Sequence, residues 1–363
     1  MKQFVLSGIN LYEGGPLSIY YDCLDSILEK KLDDIFEIVA FVHKKDLFSA
    51  YEGRVKVIEL PKSRKSYLVR LFYEFVYFYN YSKKHNVEIW LSLHDITPRV
   101  KARKLYTYCH NVSPFVEKDL ANVRYSVTNV LFSYFYKYIY RINIKSATAI
   151  IVQTDWMRKA FLEMYPVHEV IVARPELEEL YKYNGWKRRS AIEKKIFIYP
   201  VYPRYFKNFE VICEAAKLVD PDKCEIILTL NGNENQYAKE IFNKFKSIEA
   251  IKWIGLVPRE KVFEIYDMAD CLIFSSKMET WGLPISEFKK TGKDIILVDL
   301  PYARETLGEY QKVMFFPLKD ALKLGNLINA VVEGKQEYTP NNAITINPPF
   351  VRGWNELIDY ICC

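Results

Sequence analysis

Short runs of β-branched and aromatic residues alternate along this chain with longer amphipathic segments. Parallel strands need a crossover connection of about a dozen residues or more, usually a helix, so this alternation predicts parallel sheets covered by helices. The chain is therefore expected to have an α/β fold. The candidate strands are Phe4–Ile9, Glu37–Val42, Val55–Leu60, Glu88–Leu93, Lys104–His110, Ala149–Gln153, Val170–Ala173, Lys195–Tyr199, Glu225–Leu230, Ile251–Ile254, Cys271–Phe274, Asp294–Val298 and Val313–Phe316.

A polar, charged stretch, Pro175–Lys195, separates seven of these strands from the other six and contains a basic cluster at 187–189. Such a stretch is typical of a linker, and a chain of this length suits two domains of about 150 residues each. We predict two Rossmann-like domains, residues 1–180 and 195–345, and a C-terminal helix within 346–363 that packs back on the first domain. Ligands bind beyond the carboxyl ends of parallel strands, so two facing sheets would enclose a deep cleft.

A glycine-rich loop, Ser7–Pro16, lies between the first strand and a helical run. Its Gly14 and Gly15 allow close approach of a ligand to the backbone and direct helix amides at an anion. The loop lacks the G-x-G-x-x-G dinucleotide fingerprint and the Gly-Lys-Ser/Thr of a P-loop. An ordinary strand-to-helix turn explains it equally well.

The segment E-T-W-G-L-P-I-S-E, residues 279–287, directly follows another candidate strand. Gly282 and Leu283 open a helix whose free amides can hold a phosphate. Glu279 precedes this helix and Glu287 lies inside it, so two carboxylates flank the anion site. A sugar nucleotide suits this pattern, because its sugar and its ribose each offer hydroxyls to one carboxylate. The alternative is one Glu that complements the helix dipole and a second Glu in solvent.

This Glu-x7-Glu pair in a Gly-Leu-Pro context, after the run Ala269–Ser276, resembles the donor-site signature of family 4 retaining glycosyltransferases. The glycine loop, Ile151–Met157 and the region Ala215–Glu287 also follow that family in order and spacing. The resemblance implies a GT-B fold. It further implies a bacterial hexosyltransferase that moves a sugar from a nucleotide diphosphate sugar to a hydroxyl of a glycan or lipid-linked glycan, with the anomeric configuration retained, in surface polysaccharide synthesis.

The resemblance also implies roles for the matching residues. Glu279 would orient the donor sugar, Glu287 would bind the ribose, and the amides of Gly282 and Leu283 would meet the diphosphate. The Gly14–Gly15 loop would leave room for the transfer. No cofactor is implied, and the nucleotide diphosphate sugar is a co-substrate.

Lys207 follows the strand that opens the second domain, and there its charge would stabilise the departing diphosphate. The family usually has an Arg five or six residues before this Lys, where this chain has Tyr202 and Val201. Arg204 is the nearest substitute, and a solvated loop charge is the alternative.

Two histidines lie just past candidate strands of the first domain. His110 is similar to the His-containing segment of the family, which implies a contact with the donor sugar or the acceptor. The pair His94-Asp95 is assigned either to acceptor binding or to loop structure. A lone histidine is also often a structural hydrogen-bonding residue.

The charge balance of 51 Lys and Arg against 45 Asp and Glu, a net +6, is too small for a dedicated nucleic-acid binder. The five His are dispersed and no H-E-x-x-H occurs, so we predict no metal site and a metal-independent reaction. The N-terminus shows no apolar signal segment, and the seven Cys form no C-x-x-C pair, which together predict a cytoplasmic protein with reduced thiols.

Two stretches combine basic and aromatic residues, Lys62–Tyr79 and Tyr134–Arg141. They resemble amphipathic helices that bind anionic membranes from the inner face of the cell membrane, and the alternative is that their aromatic faces pack into the core. The sequence also allows three other functions, because a fold does not determine a function. They are a sugar-nucleotide epimerase, a phosphorylase on the same scaffold, and a non-catalytic protein that binds a membrane surface or a polyanion.

Overall fold

The computed structural model describes residues 1–115, 136–176 and 194–363, so the basic cluster of the predicted linker lies outside the described residues. They form two compact units. One unit contains the first two of these ranges together with residues 346–363, and the other contains residues 194–345. Each unit has one parallel sheet with helices packed against it.

The strands in chain order are β1 (Lys2–Ser7), β2 (Phe36–Val42), β3 (Val55–Glu59), β4 (Val87–Ser92), β5 (Lys104–Tyr108), β6 (Ala149–Val152), β7 (Val170–Arg174), β8 (Lys195–Tyr199), β9 (Cys224–Leu228), β10 (Ile251–Trp253), β11 (Cys271–Phe274), β12 (Asp294–Val298), β13 (Val313–Phe316) and β14 (Phe350–Arg352). The helices are α1 (Gly14–Glu29), α2 (Tyr67–Phe72), α3 (Phe78–Ser82), α4 (described over 136–141), α5 (Asp155–Met164), α6 (Phe209–Ala216), α7 (Gln236–Phe245), α8 (Arg259–Met268), α9 (Leu283–Lys289), α10 (Pro301–Leu307), α11 (Ala321–Glu333) and α12 (Gly353–Cys362). A π-helical turn, Tyr73–Tyr77, joins α2 to α3.

All thirteen predicted strands are present, and their ends shift by at most two residues. Strands that are buried on both faces form short, nearly continuous apolar runs. Such runs are visible in this sequence, which is why the strands could be predicted. The sequence does not predict β14, because this strand has three residues and directly follows Pro348-Pro349. The predicted C-terminal helix begins at Gly353 in the structure, after that strand.

The sheet of the first unit has eight strands in the order β14-β7-β6-β5-β4-β1-β2-β3. Helices α1 and α12 pack together on one of its faces, where Tyr20 and Leu24 of α1 join Leu357 and Ile361 of α12 in one core. This packing confirms the predicted return of the C-terminal helix to the first domain.

The sheet of the second unit has six strands in the order β10-β9-β8-β11-β12-β13. In both sheets the order reverses beside the first strand: β1 lies between β2 and β4, and β8 lies between β9 and β11. The connections that follow the two strands at such a point leave in opposite directions, so a crevice opens at the carboxyl edge of the sheet, where ligands of open α/β sheets bind. The candidate residues should lie at these two edges.

The predicted fold class, two Rossmann-like α/β domains with parallel sheets, is confirmed. In the part of the chain that the structure describes, no helix combines the length and the apolar character needed to cross a membrane.

We predict that Gly8→Ala destabilises the first unit. A β-carbon at Gly8 would lie 2.4 Å from Cε2 of Tyr20, whose buried ring packs 4.9 Å from the ring of Phe48 and has little room to move. Overpacking of this kind costs about 1–3 kcal/mol, which urea unfolding would measure.

Gly15→Ala is the matched control for this substitution. Within the described residues, no atom lies within 4 Å of the β-carbon position of Gly15, so this variant should unfold at the same urea concentration as the parent or a higher one. Equal stability of the Gly8→Ala variant and the parent would contradict the packing argument.

Candidate functional site

Lys207 and Glu279 meet at the carboxyl edge of the second sheet. Lys207 ends a 3-10 turn, Tyr205–Lys207, in the connection after β8, and Glu279 lies in the connection after β11. The Nζ atom of Lys207 forms an ion pair with Oε1 of Glu279, and each side chain is 15% exposed. The strand order thus brings together two charged residues that are 72 positions apart in the sequence.

The backbone of Lys207 is held by hydrogen bonds from neighbouring strands. Its carbonyl oxygen accepts the hydroxyl of Tyr199 at 2.6 Å and that of Ser275 at 3.1 Å. Asn208, which has a left-handed φ of 56°, donates its amide to the carbonyl oxygens of Ser275 at 3.2 Å and Leu318 at 3.0 Å. These bonds fix the position of the Lys207 backbone at the carboxyl ends of β8 and β11.

The connection after β11 is tied to the same turn. The backbone N–H of Lys277 donates to the carbonyl oxygen of Phe206 at 2.7 Å. The Ser276 hydroxyl donates to the carbonyl oxygen of Met278 at 2.9 Å, and the Tyr302 hydroxyl donates to that of Ser276 at 2.5 Å. The two connections therefore form one cross-linked support for the ion pair.

Gly282 has a φ of 94°, and α9 begins at the next residue. This left-handed conformation favours glycine, and a β-carbon here would lie 3.2 Å from Cδ1 of Ile285. Leu283 is exposed at the start of α9. The first amides of a helix have no partner within the helix. The role of the Gly282 and Leu283 amides in holding a diphosphate stays a prediction.

Glu287 lies in α9 and is held by two residues of α8. Its Oε1 is 2.9 Å from Nη2 of Arg259, and its Oε2 accepts the hydroxyl of Tyr266 at 3.2 Å. Burial, reinforced by the charge of Glu287, raises the pKa of Tyr266 well above its usual value, so this hydroxyl keeps its proton and donates it. A carboxylate offers about four acceptor positions, so Glu287 retains capacity for further donors.

Arg204 begins the turn that carries Lys207. Its carbonyl oxygen accepts the backbone N–H of Lys207 at 2.8 Å. Its guanidinium is exposed and lies 5.6 Å from the ring centroid of Tyr202. The exposed position leaves both the diphosphate role and the solvated loop charge as predictions.

The carboxyl edge of the first sheet also carries a cluster at its reversal point. His94, after β4, places Nδ1 2.7 Å from Oδ1 of Asn10, which belongs to the glycine loop after β1. Its Nε2 lies 2.7 Å from Oε1 of Glu74 in the π-helical turn. Arg70 donates from Nη2 to the carbonyl oxygen of His94 at 2.7 Å, and the side chains of His94 and Glu74 are 0% exposed.

Asp95 holds the segment that contains His110. It has a left-handed φ of 73°, which is uncommon for a residue with a side chain. Its buried Oδ1 accepts the backbone N–H of His110 at 2.8 Å and that of Asn111 at 3.1 Å. The ring of His110 stays partly exposed, with Nε2 3.6 Å from Oδ2 of Asp95. The burial of Asp95 and His94 favours loop structure over direct acceptor contact, and their acceptor role stays a prediction.

The glycine loop itself is exposed at Gly14 and Gly15, and Gly14 has a left-handed φ of 63°. Sequence reasoning missed Asn10, which joins this loop to His94, and Glu74, which contacts His94 from the π-helical turn. Glu74 lies within the basic aromatic stretch, where its one distinguishing signal is that it is the sole acidic residue between Lys62 and Tyr79.

We predict that His94 makes the stability of the first unit depend on pH. Burial lowers the pKa of His94, against the opposing charge of Glu74. Its contribution to stability is therefore complete above the unfolded-state pKa of about 6.5 and is lost as the pH falls below that value. Urea unfolding between pH 7.5 and 5 should show a loss that is smaller in His94→Gln. The exposed His168→Gln is the control and should keep the parent's pH dependence, and an equal loss in His94→Gln would contradict the assignment.

Residues 184–345 match the family model described as glycosyl transferases group 1. This segment includes Lys207, Glu279 and Glu287. A search of curated proteins gives no match.

Several solved structures share the fold over most of the chain. Sucrose-phosphate synthase from Thermosynechococcus elongatus is 13% identical, with a TM-score of 0.64 over 92% of this chain and 90% of that one. WaaG, a glycosyltransferase involved in lipopolysaccharide biosynthesis, is 12% identical, with a TM-score of 0.63 over 91% and 90%. HepE from Anabaena in complex with UDP-glucose is 14% identical, with a TM-score of 0.59 over 93% and 91%. These structures show that the chain shares the GT-B fold, and the family model matches less than half of the chain.

Proposed function

We propose that this protein is a family 4 retaining glycosyltransferase that moves a hexose from a nucleotide diphosphate sugar to a hydroxyl of a glycan acceptor. The observation that carries the proposal is the Lys207–Glu279 ion pair, which lies at the reversal point of the second sheet and precedes the helix that contains Glu287. The solved complex of HepE with UDP-glucose supports a nucleotide-sugar donor for this fold. WaaG is involved in lipopolysaccharide biosynthesis, and this supports a glycan or lipid-linked glycan as the acceptor in surface polysaccharide synthesis.

Lys207 is the group that receives the diphosphate in this proposal. Breaking a glycosidic bond to a diphosphate develops negative charge on the leaving group, and a fixed cation there stabilises the transition state more than the ground state. The hydrogen bonds to the carbonyl oxygen of Lys207 supply that fixed position. The backbone amides of Gly282 and Leu283 and the guanidinium of Arg204 add to the positive field.

Glu279 is neutralised by Lys207 in the free protein. When the diphosphate takes over Lys207, the carboxylate becomes available to accept hydrogen bonds from hydroxyls of the donor sugar. In this proposal its negative charge also stabilises the cationic sugar of an early bond-breaking step. Glu287 binds the ribose hydroxyls with the acceptor capacity that Arg259 and Tyr266 leave.

The first unit supplies the acceptor side in this proposal. His110 has a partly exposed ring whose backbone is fixed by Asp95, so it is the candidate for contact with the acceptor or the donor sugar. His94 and Asp95 hold that edge in place, and the loop of Gly14 and Gly15 provides space beside it. An epimerase would release an altered sugar nucleotide without any acceptor, which product analysis distinguishes from transfer.

We predict opposite effects of Glu279→Gln on binding and on turnover. The variant frees Lys207, so UDP, used as a probe beside other nucleoside diphosphates, should bind about two- to fivefold more tightly, as expected for loss of a competing ion pair. Release of nucleoside diphosphate from the preferred sugar nucleotide should fall by about 10²–10³-fold, since a transition-state contact is lost. Calorimetry and a coupled release assay measure the two effects.

Lys207→Met should instead weaken nucleotide binding and turnover together. The matched control is Glu214→Gln with Lys217→Met, because Glu214 and Lys217 form an exposed ion pair in the same unit. This control should leave both measurements unchanged. If Glu279→Gln kept full turnover, the proposed function would be wrong.

We predict that the reaction needs no divalent metal ion, because Lys207 and the amides of Gly282 and Leu283 supply the positive field at the diphosphate. Addition of EDTA should leave the rate of nucleoside diphosphate release unchanged. Loss of activity with EDTA and its recovery with Mg²⁺ or Mn²⁺ would contradict this prediction.

A further inference from the structure

The helical segment of residues 67–82 exposes an apolar stripe on the first unit. Leu68, Phe72 and Val76 follow one another at intervals of four residues, and they are 78%, 52% and 43% exposed. Residues four apart lie on one face of a helix, so these side chains form one continuous row. Contiguous exposed apolar rows are uncommon on soluble surfaces and mark interaction sites.

The opposite face of the same segment is fixed in the core. Arg70, Glu74 and Phe78 also follow at intervals of four residues, and all three are buried. The ring of Phe78 lies 4.9 Å from that of Phe41 and 5.1 Å from that of Trp90, both in the sheet. The segment therefore packs one face against the sheet and turns the other outward, so core packing does not account for its exposed apolar residues.

Basic residues flank the stripe at both ends. Lys62 and Lys65 precede it, Lys83 and Lys84 follow it, and all four are exposed. Between residues 61 and 86, all of which the structure describes, the sole acidic side chain is Glu74, which is buried against His94. The exposed surface of this segment thus joins an apolar row to positive charge with no carboxylate within it.

We propose that this face, defined by Leu68, Phe72, Val76 and the four flanking lysines, lies on an anionic lipid surface. The apolar row enters the boundary between headgroups and acyl chains, and the lysines meet anionic headgroups. Charge complementarity alone would also suit another polyanion. The exposed leucine and phenylalanine favour lipid, because a nucleic-acid backbone or an acidic glycan offers no apolar phase for them.

This inference goes beyond the proposed function and does not rest on it. It adds a location for the first unit, at the surface where a lipid-linked acceptor would be found. Binding is expected to be peripheral and reversible, since a single interfacial helix does not anchor a protein irreversibly.

The test is co-sedimentation of the full chain with vesicles of phosphatidylcholine alone and of phosphatidylcholine with 30% phosphatidylglycerol. The protein should bind the anionic vesicles, bind them less as salt rises, and show little binding to the neutral ones. Leu68→Ser with Phe72→Ser, and separately Lys62→Gln with Lys65→Gln, should each reduce the partition coefficient at least about tenfold.

The matched control carries Leu322→Ser with Lys323→Gln on α11, where Leu322 is 63% exposed. It should bind vesicles as the parent does. The substituted residues of the stripe are exposed, so the melting temperatures of all variants should agree, and release of nucleoside diphosphate in solution should be unchanged. That readout separates a failure of this inference from a failure of the proposed function.

A second measurement uses Phe72→Trp as a depth probe. Its fluorescence should shift to shorter wavelength with anionic vesicles, because the indole enters a less polar phase. The proposal is overturned if the parent ignores anionic vesicles, if the stripe variants bind as well as the parent, or if the same variants lose binding to heparin or DNA while lipid binding is absent.

Discussion

The reversal of strand order beside the first strand of each sheet is the constraint on which the rest depends. Because parallel strands end at one edge and their order reverses beside the first strand, the residues after β1 and β4 meet at the carboxyl edge of the first sheet, and those after β8 and β11 meet at the carboxyl edge of the second. Each edge carries a polar pair with one residue from each connection: His94 with Asn10 in the first unit, and Glu279 with Lys207 in the second. The strand order thus brings together residues that are distant in the sequence.

The two clusters differ in their exposure to water, and this difference suits them to different roles. Glu74 and His94 are fully buried, so separating them would leave the Glu74 carboxylate without solvent and with the Arg70 guanidinium 3.9 Å away as its remaining charged contact, at a cost of several kcal/mol. They act as a permanent support for the edge of the first sheet. Lys207 and Glu279 remain partly exposed, so water and an incoming anion can reach both charges. That pair can be exchanged, which suits a site that binds and releases a charged substrate.

The sequence predicts the strands well because each is an apolar run bounded by polar turns, and it locates Glu279 and Glu287 because their spacing spans one local turn and helix. It does not predict that Lys207 pairs with Glu279, or that Glu74 reaches His94, since such contacts arise from strand order and from the packing of the π-helical turn. The sequence does not predict the short strand β14, because three residues are too few to show an alternation of apolar and polar side chains. The helical segment of residues 67–82 is ambiguous in the sequence because its buried row contains the charged Arg70 and Glu74 while its exposed row is apolar, the reverse of the usual pattern, and only packing separates the two rows.

The ion pair in the free site also bears on selectivity under the proposed function. A nucleoside diphosphate without a sugar can take Lys207 from Glu279, but among the described residues it leaves that carboxylate with no hydrogen-bond donor, so water must supply one. A nucleotide diphosphate sugar satisfies both groups at once, since its phosphates bind Lys207 and its sugar hydroxyls bind Glu279. Breaking the Lys207–Glu279 ion pair costs binding free energy, and only the complete nucleotide diphosphate sugar replaces both of its interactions. The same exchange of partners aligns the sugar against the Glu279 carboxylate before the bond to the diphosphate breaks. Selection of the donor and orientation of its sugar thus follow from one contact between two residues that the strand order places side by side.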